Sequence, residues 1–471
     1  MSKQQYEIGM VGLGVMGQNL VLNMADHGYS VAGYDKDTSK ADALNKAAGE
    51  RPILGAKKLA EFIDSLSAPR AVMMLVPAGH PVDAVIGDLL PHLARGDLII
   101  DGGNSHFTET NRRGKNLADQ GLQYLGVGIS GGEHGARYGP SMMPGGPKEA
   151  YERVRPIFES VAAHVNGDPC VTYLGPGSAG HYVKMVHNGI EYGLMQLISE
   201  TYDLLKRGLG LTNDDLHDVY AEWNKGKLTG YLMEITANIF LRVDDKTGNR
   251  LVDEIRDEAR QKGTGMWASQ DALELQVPVP TIDMAVAMRN MSALKAERVA
   301  ASQVLKGPAP TPPEDRETFM EHLREALYAG MIITYAQGMA QLRAASEAYD
   351  YGLNLEGVAR IWRGGCIIRA KLLEDMRAAY HAQAGLPNLL MDPHLREEIL
   401  SRQEDLRHVV RYGAEVGIPT PALMTTLAYF DAYRSARLPA NLIQAQRDYF
   451  GAHTYERVDS EGVFHTQWQQ D

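Results

Sequence analysis

Tyr6-Glu-Ile-Gly-Met-Val11 runs directly into Gly12-Leu13-Gly14-Val15-Met16-Gly17, and a helical pattern follows to His27. Tyr6 to Val11 reads as a short buried strand, so the glycine motif sits where a strand turns into a helix. In that setting the first glycine makes the turn, the second lets a pyrophosphate approach the backbone, and the third lets helix and strand pack closely. A second strand, Tyr29 to Tyr34, ends at Asp35, with Lys36 and Asp37 after it. A carboxylate at Asp35 can accept a hydrogen bond from an adenosine ribose 2′-hydroxyl.

The alternation continues with a strand from Arg70 to Val76, a helix from about Val82, a strand from Leu98 to Asp101, a helix from Thr108 and a strand from Gln123 to Ile129. Strands alternating with helices of this length predict an α/β fold with a parallel, doubly wound sheet of the Rossmann type. Ligands of such sheets lie at the carboxyl ends of the strands. Those ends carry Val76-Pro77-Ala78-Gly79, Asp101-Gly-Gly-Asn104 and Gly128-Ile-Ser130-Gly131-Gly132. Asn104 and Ser130 are placed to hydrogen-bond a substrate beside the cofactor. Ser141 to Met143 and Val171 to Leu174 are the last strand-like runs, and the turn Gly175-Pro-Gly177 closes a first domain at residues 1–177.

Gly177 to Arg207 reads as one long helix with Ser178 placed to cap it. On it Lys184, His187, Asn188 and Glu191 share one face at 3.6 residues per turn. At about 1.5 Å of rise per residue, Lys184 and Glu191 stand about 10 Å apart along the axis, close enough to lean toward one small polar molecule. A desolvated lysine can act as a base near neutral pH, and a carboxyl among apolar neighbours can stay protonated as an acid. The plain alternative is a solvated helix face.

From Ser178 to about Ala436 helical periodicity dominates, predicting an all-helical second domain at residues 178–436. An internal duplication is visible. Ser199-Glu-Thr-Tyr-Asp203 recurs as Ser346-Glu-Ala-Tyr-Asp350, and Trp223-Asn-Lys-Gly226 recurs as Trp362-Arg-Gly-Gly365. Between the copies, Gln261-Lys262-Gly-Thr264-Gly-Met-Trp267 offers an amine, a hydroxyl and free amides, a seat for phosphate. Residues 437–471 form a tail whose Tyr449, Phe450 and Trp468 need a partner surface.

The net charge of -12 argues against nucleic-acid or anionic-membrane binding, because both need a basic surface. Two distant cysteines, Cys170 and Cys366, suggest neither a disulfide framework nor a metal site. Met1-Ser-Lys-Gln-Gln5 leads straight into the first strand without a signal segment, and no apolar run reaches the ~18 residues of a membrane helix. The expected location is a reducing cytoplasm.

Gly12 to Gly17, Ile100-Asp-Gly-Gly-Asn104, Gly128-Ile-Ser-Gly-Gly132, Lys184-x-x-His187-Asn188-Gly-Ile-Glu191-Tyr192, Lys262-Gly-Thr264-Gly265 and Ala440-Asn-Leu-Ile-Gln-Ala-Gln-Arg447-Asp-Tyr-Phe-Gly-Ala-His453 follow one another in a single order. Collinear over nearly the whole chain, they resemble the decarboxylating 6-phosphogluconate dehydrogenases. The resemblance implies oxidative decarboxylation of 6-phospho-D-gluconate to D-ribulose 5-phosphate and carbon dioxide, without a metal, in the pentose phosphate pathway. It implies Lys184 as general base and Glu191 as the acid that protonates C1 of the enediol. Asn104, Ser130, Gly131, Gly132, His187 and Asn188 would hold carboxylate and hydroxyls. Tyr192, Lys262, Thr264, Arg289, Arg447 and His453 would hold the phosphate end. A homodimer, or a larger oligomer built on it, is implied, with the tail entering the partner subunit. A sister β-hydroxyacid dehydrogenase that releases no carbon dioxide, or a non-catalytic dinucleotide sensor, would share the cradle but lack the Lys262 loop and tail or the acid-base pair.

In one respect the chain departs from the resemblance. Familiar NADP-dependent members carry Ala at the second glycine of the motif, an Asn-Arg-Ser/Thr turn after the second strand, and Lys where this chain has Pro77. Here the residues are Gly14, Asp35-Lys36-Asp37 and Pro77. Two acids against one lysine predict a preference for NAD, with NADP usable but weaker.

Overall fold

The computed structural model describes residues 5–468, and in it the opening strand, glycine turn and helix form as read. Residues 1–4, read as leading directly into the first strand, lie outside the described residues. Seven strands, β1 (Ile8–Val11), β2 (Val31–Tyr34), β3 (Ile53–Ala56), β4 (Ala71–Met74), β5 (Leu98–Asp101), β6 (Gln123–Ser130) and β7 (Ser141–Gly145), lie in the order 3-2-1-4-5-6-7. The connecting helices are α1 (Val15–Asp26), α2 (Thr38–Ala48), α3 (Leu59–Asp64), α4 (His80–Leu89), α5 (Phe107–Ala118), α6 (Gly132–Tyr138) and α7 (Lys148–Val161). Alternate strand residues serve opposite cores: Ile8, Met10, Met73 and Ile100 on one face, Val11, Val72, Met74 and Ile99 on the other. Burial on both faces is why these strands read as near-continuous apolar runs.

The structure corrects three local readings and adds one strand. The sheet is not wholly parallel, because β7 runs antiparallel to β6. β3, four residues at the sheet edge with a glycine inside, carries too little apolar pattern to be seen in sequence. Val171 to Leu174 is no strand, and makes only a single bridge from Val171 to Met142. Ser178 stands before the long helix without capping it, since its hydroxyl lies 2.7 Å from that of Tyr351.

The glycine motif divides by physical role. Gly12 has φ +94°, and a Cβ there would sit 2.5 Å from the Leu75 carbonyl oxygen; one on Gly17 would sit 1.9 Å from the Gly12 oxygen. The protein itself requires both to be glycine. Around Gly14 a Cβ would meet nothing within 4 Å, so the space there faces the start of α1 and is open to a ligand.

Beyond the sheet come α8 (Ala179–Asp203), whose last turn continues without a break as a π-helical turn at Leu204–Gly208, so that one helix runs through Arg207 as read, and α9 (Asn213–Trp223). Next are α10 (Tyr231–Leu241), α11 (Leu251–Glu254), α12 (Thr264–Glu274), α13 (Pro280–Ala293), α14 (Lys295–Val304), α15 (Arg316–Ala348) and α16 (Leu355–Ile361). The repeated Ser-Glu-x-Tyr-Asp segments close α8 and α15, and the repeated tryptophans stand at the ends of α9 and α16. The two long helices pack closely, with Gly338 against Ile190 and Gly330 against Leu197. Among the described residues no helix is long and apolar enough to cross a membrane.

α8 also lies directly on the sheet. A Cβ on Gly180 would meet the Met143 and Gly126 carbonyl oxygens at 2.2 and 2.4 Å, and one on Gly128 would lie 2.3 Å from the Lys184 Cβ. The lysine stem therefore rests on β6 and its amine emerges at the strand's carboxyl end. Gly128→Ala should destabilise the protein by about 1–3 kcal/mol through overpacking, whereas Gly14→Ala should stay within about 0.5 kcal/mol. Denaturant midpoints of the two variants check this contrast.

Candidate active site

At the carboxyl ends of β1, β2 and β4 an apolar slot of about 360 Å³ is lined by Gly12, Gly14, Tyr34, Asp35, Lys36, Val76, Pro77 and Val85. Asp35 is held rigidly: Oδ2 accepts from the Leu13 N–H at 2.8 Å and from Lys40 Nζ at 3.1 Å, and Oδ1 accepts from the Asp37 N–H at 3.0 Å. Burial opposes its charge, but these donors outweigh burial and hold its carboxyl below the usual range. Asp37 caps α2 through the Ser39 N–H, and Lys36 Nζ reaches Asp88 on α4 at 2.8 Å. An open glycine turn at a helix start, an apolar slot and a fixed carboxylate fit a dinucleotide.

Next to this slot a larger cavity of about 880 Å³ is bordered by Met16, Val76, Pro77, Ala78 and Asn104 on one side and Asn188, Glu191 and Tyr192 on the other. The face of α8 is not a solvated one, for Lys184 is 6% exposed and His187 0%. Lys184 Nζ donates to Asn188 Oδ1 at 2.6 Å and to Ser130 Oγ at 3.4 Å, and lies 3.3 Å from His187 Nδ1. His187 Nε2 lies 3.3 Å from Ser130 Oγ, and its Nδ1 3.8 Å from Glu191 Oε2.

The electrostatics follow from the burial. Burial lowers the pKa of Lys184, against the opposing charge of Glu191. Burial raises that of Glu191, against Lys184 and Arg289. His187 is driven well below its ordinary value, first by burial and then by the neighbouring Lys184 cation, so it stays neutral. Proton affinities of amine and carboxyl are thus drawn toward each other, which equips the pair for proton exchange in both directions.

The far wall is cationic. Lys262, Thr264 and Arg289 line it, joined by Arg260 and Gln261, which the sequence reading did not single out for this wall. Thr264 Oγ1 accepts from Asn188 Nδ2 at 2.8 Å, tying the start of α12 to α8, and the Arg289 guanidinium stacks 3.6 Å over the Tyr192 ring. Gly131 and Gly132 stand at the start of α6 with φ of +108° and +61°. Arg447 and His453 do not line this cavity; they belong to the tail helix Ala440–Gly451 and the residues just after it. Lys40 and Asp88 at the dinucleotide end were also missed. Lys40 could have been suspected from its place in the first turn after Asp35, but no sequence signal ties Asp88 to Lys36.

A dinucleotide cradle that shares a polar cleft with a buried lysine and carboxyl defines an oxidoreductase of the nicotinamide-dependent class. Residues 7–175 match the family described as the NAD binding domain of 6-phosphogluconate dehydrogenase, and residues 180–468 match 6-phosphogluconate dehydrogenase, C-terminal domain. The NADP(+)-dependent decarboxylating 6-phosphogluconate dehydrogenase of Bacillus subtilis is 53% identical over 469 residues, covering 99% of this chain and 100% of its own length. The decarboxylating enzyme of Escherichia coli is 51% identical over 469 residues, with the same coverage. The solved 6-phosphogluconate dehydrogenase of Plasmodium falciparum superposes with a TM-score of 0.95 at 46% identity, covering 98% of this chain and 100% of that one. The chain belongs to the decarboxylating 6-phosphogluconate dehydrogenase family.

Proposed function

We propose that the protein converts 6-phospho-D-gluconate to D-ribulose 5-phosphate and carbon dioxide while reducing a nicotinamide dinucleotide. The observation that carries this reading is the buried Lys184 amine, held between Asn188, Ser130 and His187 on the same helix face as Glu191. The full-length family match and the presence of the Lys262 loop favour it over a non-decarboxylating relative or a sensor. The dinucleotide, when bound, accepts the two electrons and the hydrogen removed from C3.

Lys184 as a neutral amine takes the C3 hydroxyl proton, leaving a 3-keto acid. As an ammonium it then donates to the new carbonyl oxygen, so that when the C1–C2 bond breaks, its electron pair moves into an enediol and carbon dioxide departs. Glu191 delivers a proton to the carbon that lost the carboxylate. Asn104, Ser130, Gly131, Gly132, His187 and Asn188 hold the carboxylate and hydroxyls. Tyr192, Lys262, Thr264 and Arg289 bind the phosphate, as charge-assisted donors suit a dianion.

The tail completes the site in trans. It shows Leu442 at 61%, Ile443 at 60% and Phe450 at 73% exposure, more apolar surface than a solvated helix carries. Asp448 inside it accepts from the Thr454 and Thr466 N–H groups, from His465 and from Trp468 Nε1, which locks the tail into a preformed hook. In a homodimer this hook would bring Arg447 and His453 to the partner's phosphate end. The division into residues 1–177, 178–436 and 437–471 follows these roles. We place the protein in the cytoplasm, a reading that the two free, buried cysteines support.

For the cofactor, the Bacillus subtilis relative is named NADP(+)-dependent and the Plasmodium falciparum structure was solved with NADP+. Against that stands the turn of this chain, where Asp35 is fixed as an acceptor and no arginine offers the planar fork that grips a 2′-phosphate. A preference for NAD follows, with NADP usable but weaker.

Steady-state assay with 6-phosphogluconate should show cofactor reduction with carbon dioxide release. Lys184→Met should lose both by about 10²- to 10⁴-fold. Activity should rise with pH as Lys184 loses its proton and fall as Glu191 loses its own, so Glu191→Gln should remove the alkaline limb; near-normal turnover in Lys184→Met sinks the assignment. The ratio of catalytic efficiencies should favour NAD, and a native enzyme preferring NADP tenfold overturns that part alone. Mixing Lys184→Met chains with Arg447→Ala chains should regenerate activity, because one site of each heterodimer keeps both residues. No recovery despite proven subunit exchange counts against the trans tail.

A further inference from the structure

Two residues that line the adenosine slot form an ion pair with each other. Lys36 follows β2, Asp88 projects from α4, and the two meet at 2.8 Å. The other lysine at this end, Lys40, is already paired with Asp35 at 3.1 Å. Each ammonium is therefore matched by a carboxylate, and the third acid, Asp37, points its oxygen at the Ser39 N–H and hydroxyl and shares the charge of Lys40 with Asp35. A 2′-phosphate entering this end must detach an ammonium from its carboxylate or sit among three acids.

We propose that Asp88 is a specificity-determining residue that weakens binding of a 2′-phosphorylated dinucleotide by engaging Lys36 from across the slot. The inference deepens the NAD preference proposed above and adds a residue outside the β2 turn. The discrimination is by repulsion and occupation: a ribose 2′-hydroxyl leaves the pair intact, whereas a phosphate competes with Asp88 for one ammonium and is repelled by the carboxylate. Lys36 and Asp88 are 69% and 45% exposed, so solvent screens the pair and its effect is modest.

Calorimetric titration of the full-length protein with NADP+ and with NAD+, in the absence of sugar substrate, tests the proposal without reference to turnover. Asp88→Asn should tighten NADP+ by about three- to tenfold and shift NAD+ less than about twofold. Added to Lys36→Met, the same substitution should lose most of that gain, because the freed ammonium is its route. Asp88→Ser guards against an effect peculiar to one replacement. Unchanged NADP+ affinity, equal tightening of both dinucleotides, or an undiminished gain in the Lys36→Met background each overturns the role of Asp88. All of these are read relative to the native protein, so they stand apart from whether the native protein prefers NAD.

Discussion

The contact between α8 and the strands β6 and β7 sets the geometry on which the site depends. Gly126, Gly128 and Gly180 leave no room for a Cβ between helix and sheet, so the two backbones meet directly. This close approach pins a long helix from the all-helical part across the carboxyl end of the sheet, where the dinucleotide cradle also opens. Lys184 emerges from the point of contact, next to Ser130 at the end of β6. Any side chain in that layer would lift the lysine away from the cleft, and misplacement of about 1 Å is enough to cost a reaction of this kind two orders of magnitude.

The same contact supplies the electrostatics. Pressed against the strand, Lys184 loses water, and the charged form of a buried amine becomes costly. Glu191, two turns along, is buried enough for the opposite shift. Neither group is neutralised by a tight salt bridge; they communicate through His187 and Asn188, which are neutral. Such an arrangement keeps a movable proton on the helix face without locking it into an ion pair. Across the cavity, Thr264 ties the start of α12 to Asn188, so the cationic wall is held in register with the acid-base pair.

Much of this was legible in the chain because it depends on local geometry. The strand, glycine turn and helix are consecutive residues, and a periodicity of 3.6 is enough to align Lys184, His187, Asn188 and Glu191. The weakly patterned pieces were not legible. β3 is a four-residue edge strand, the antiparallel course of β7 turns on a backbone path with no sidechain signature, and Ser178 met Tyr351 from a distant segment in place of its own helix end.

By itself the sequence determined the α/β-then-helical order, the dinucleotide cradle, the common face of the four polar residues on α8 and the family to which they point, since all of these rest on spacing within single elements. Only the tertiary structure decided that the polar face is buried, that Arg260 and Gln261 join the cationic wall, that Arg447 and His453 lie away from their own chain's cavity, and that Asp88 occupies Lys36. Burial and charge pairing are set by whatever packs against an element from elsewhere in the chain, and no spacing along one element records that neighbour.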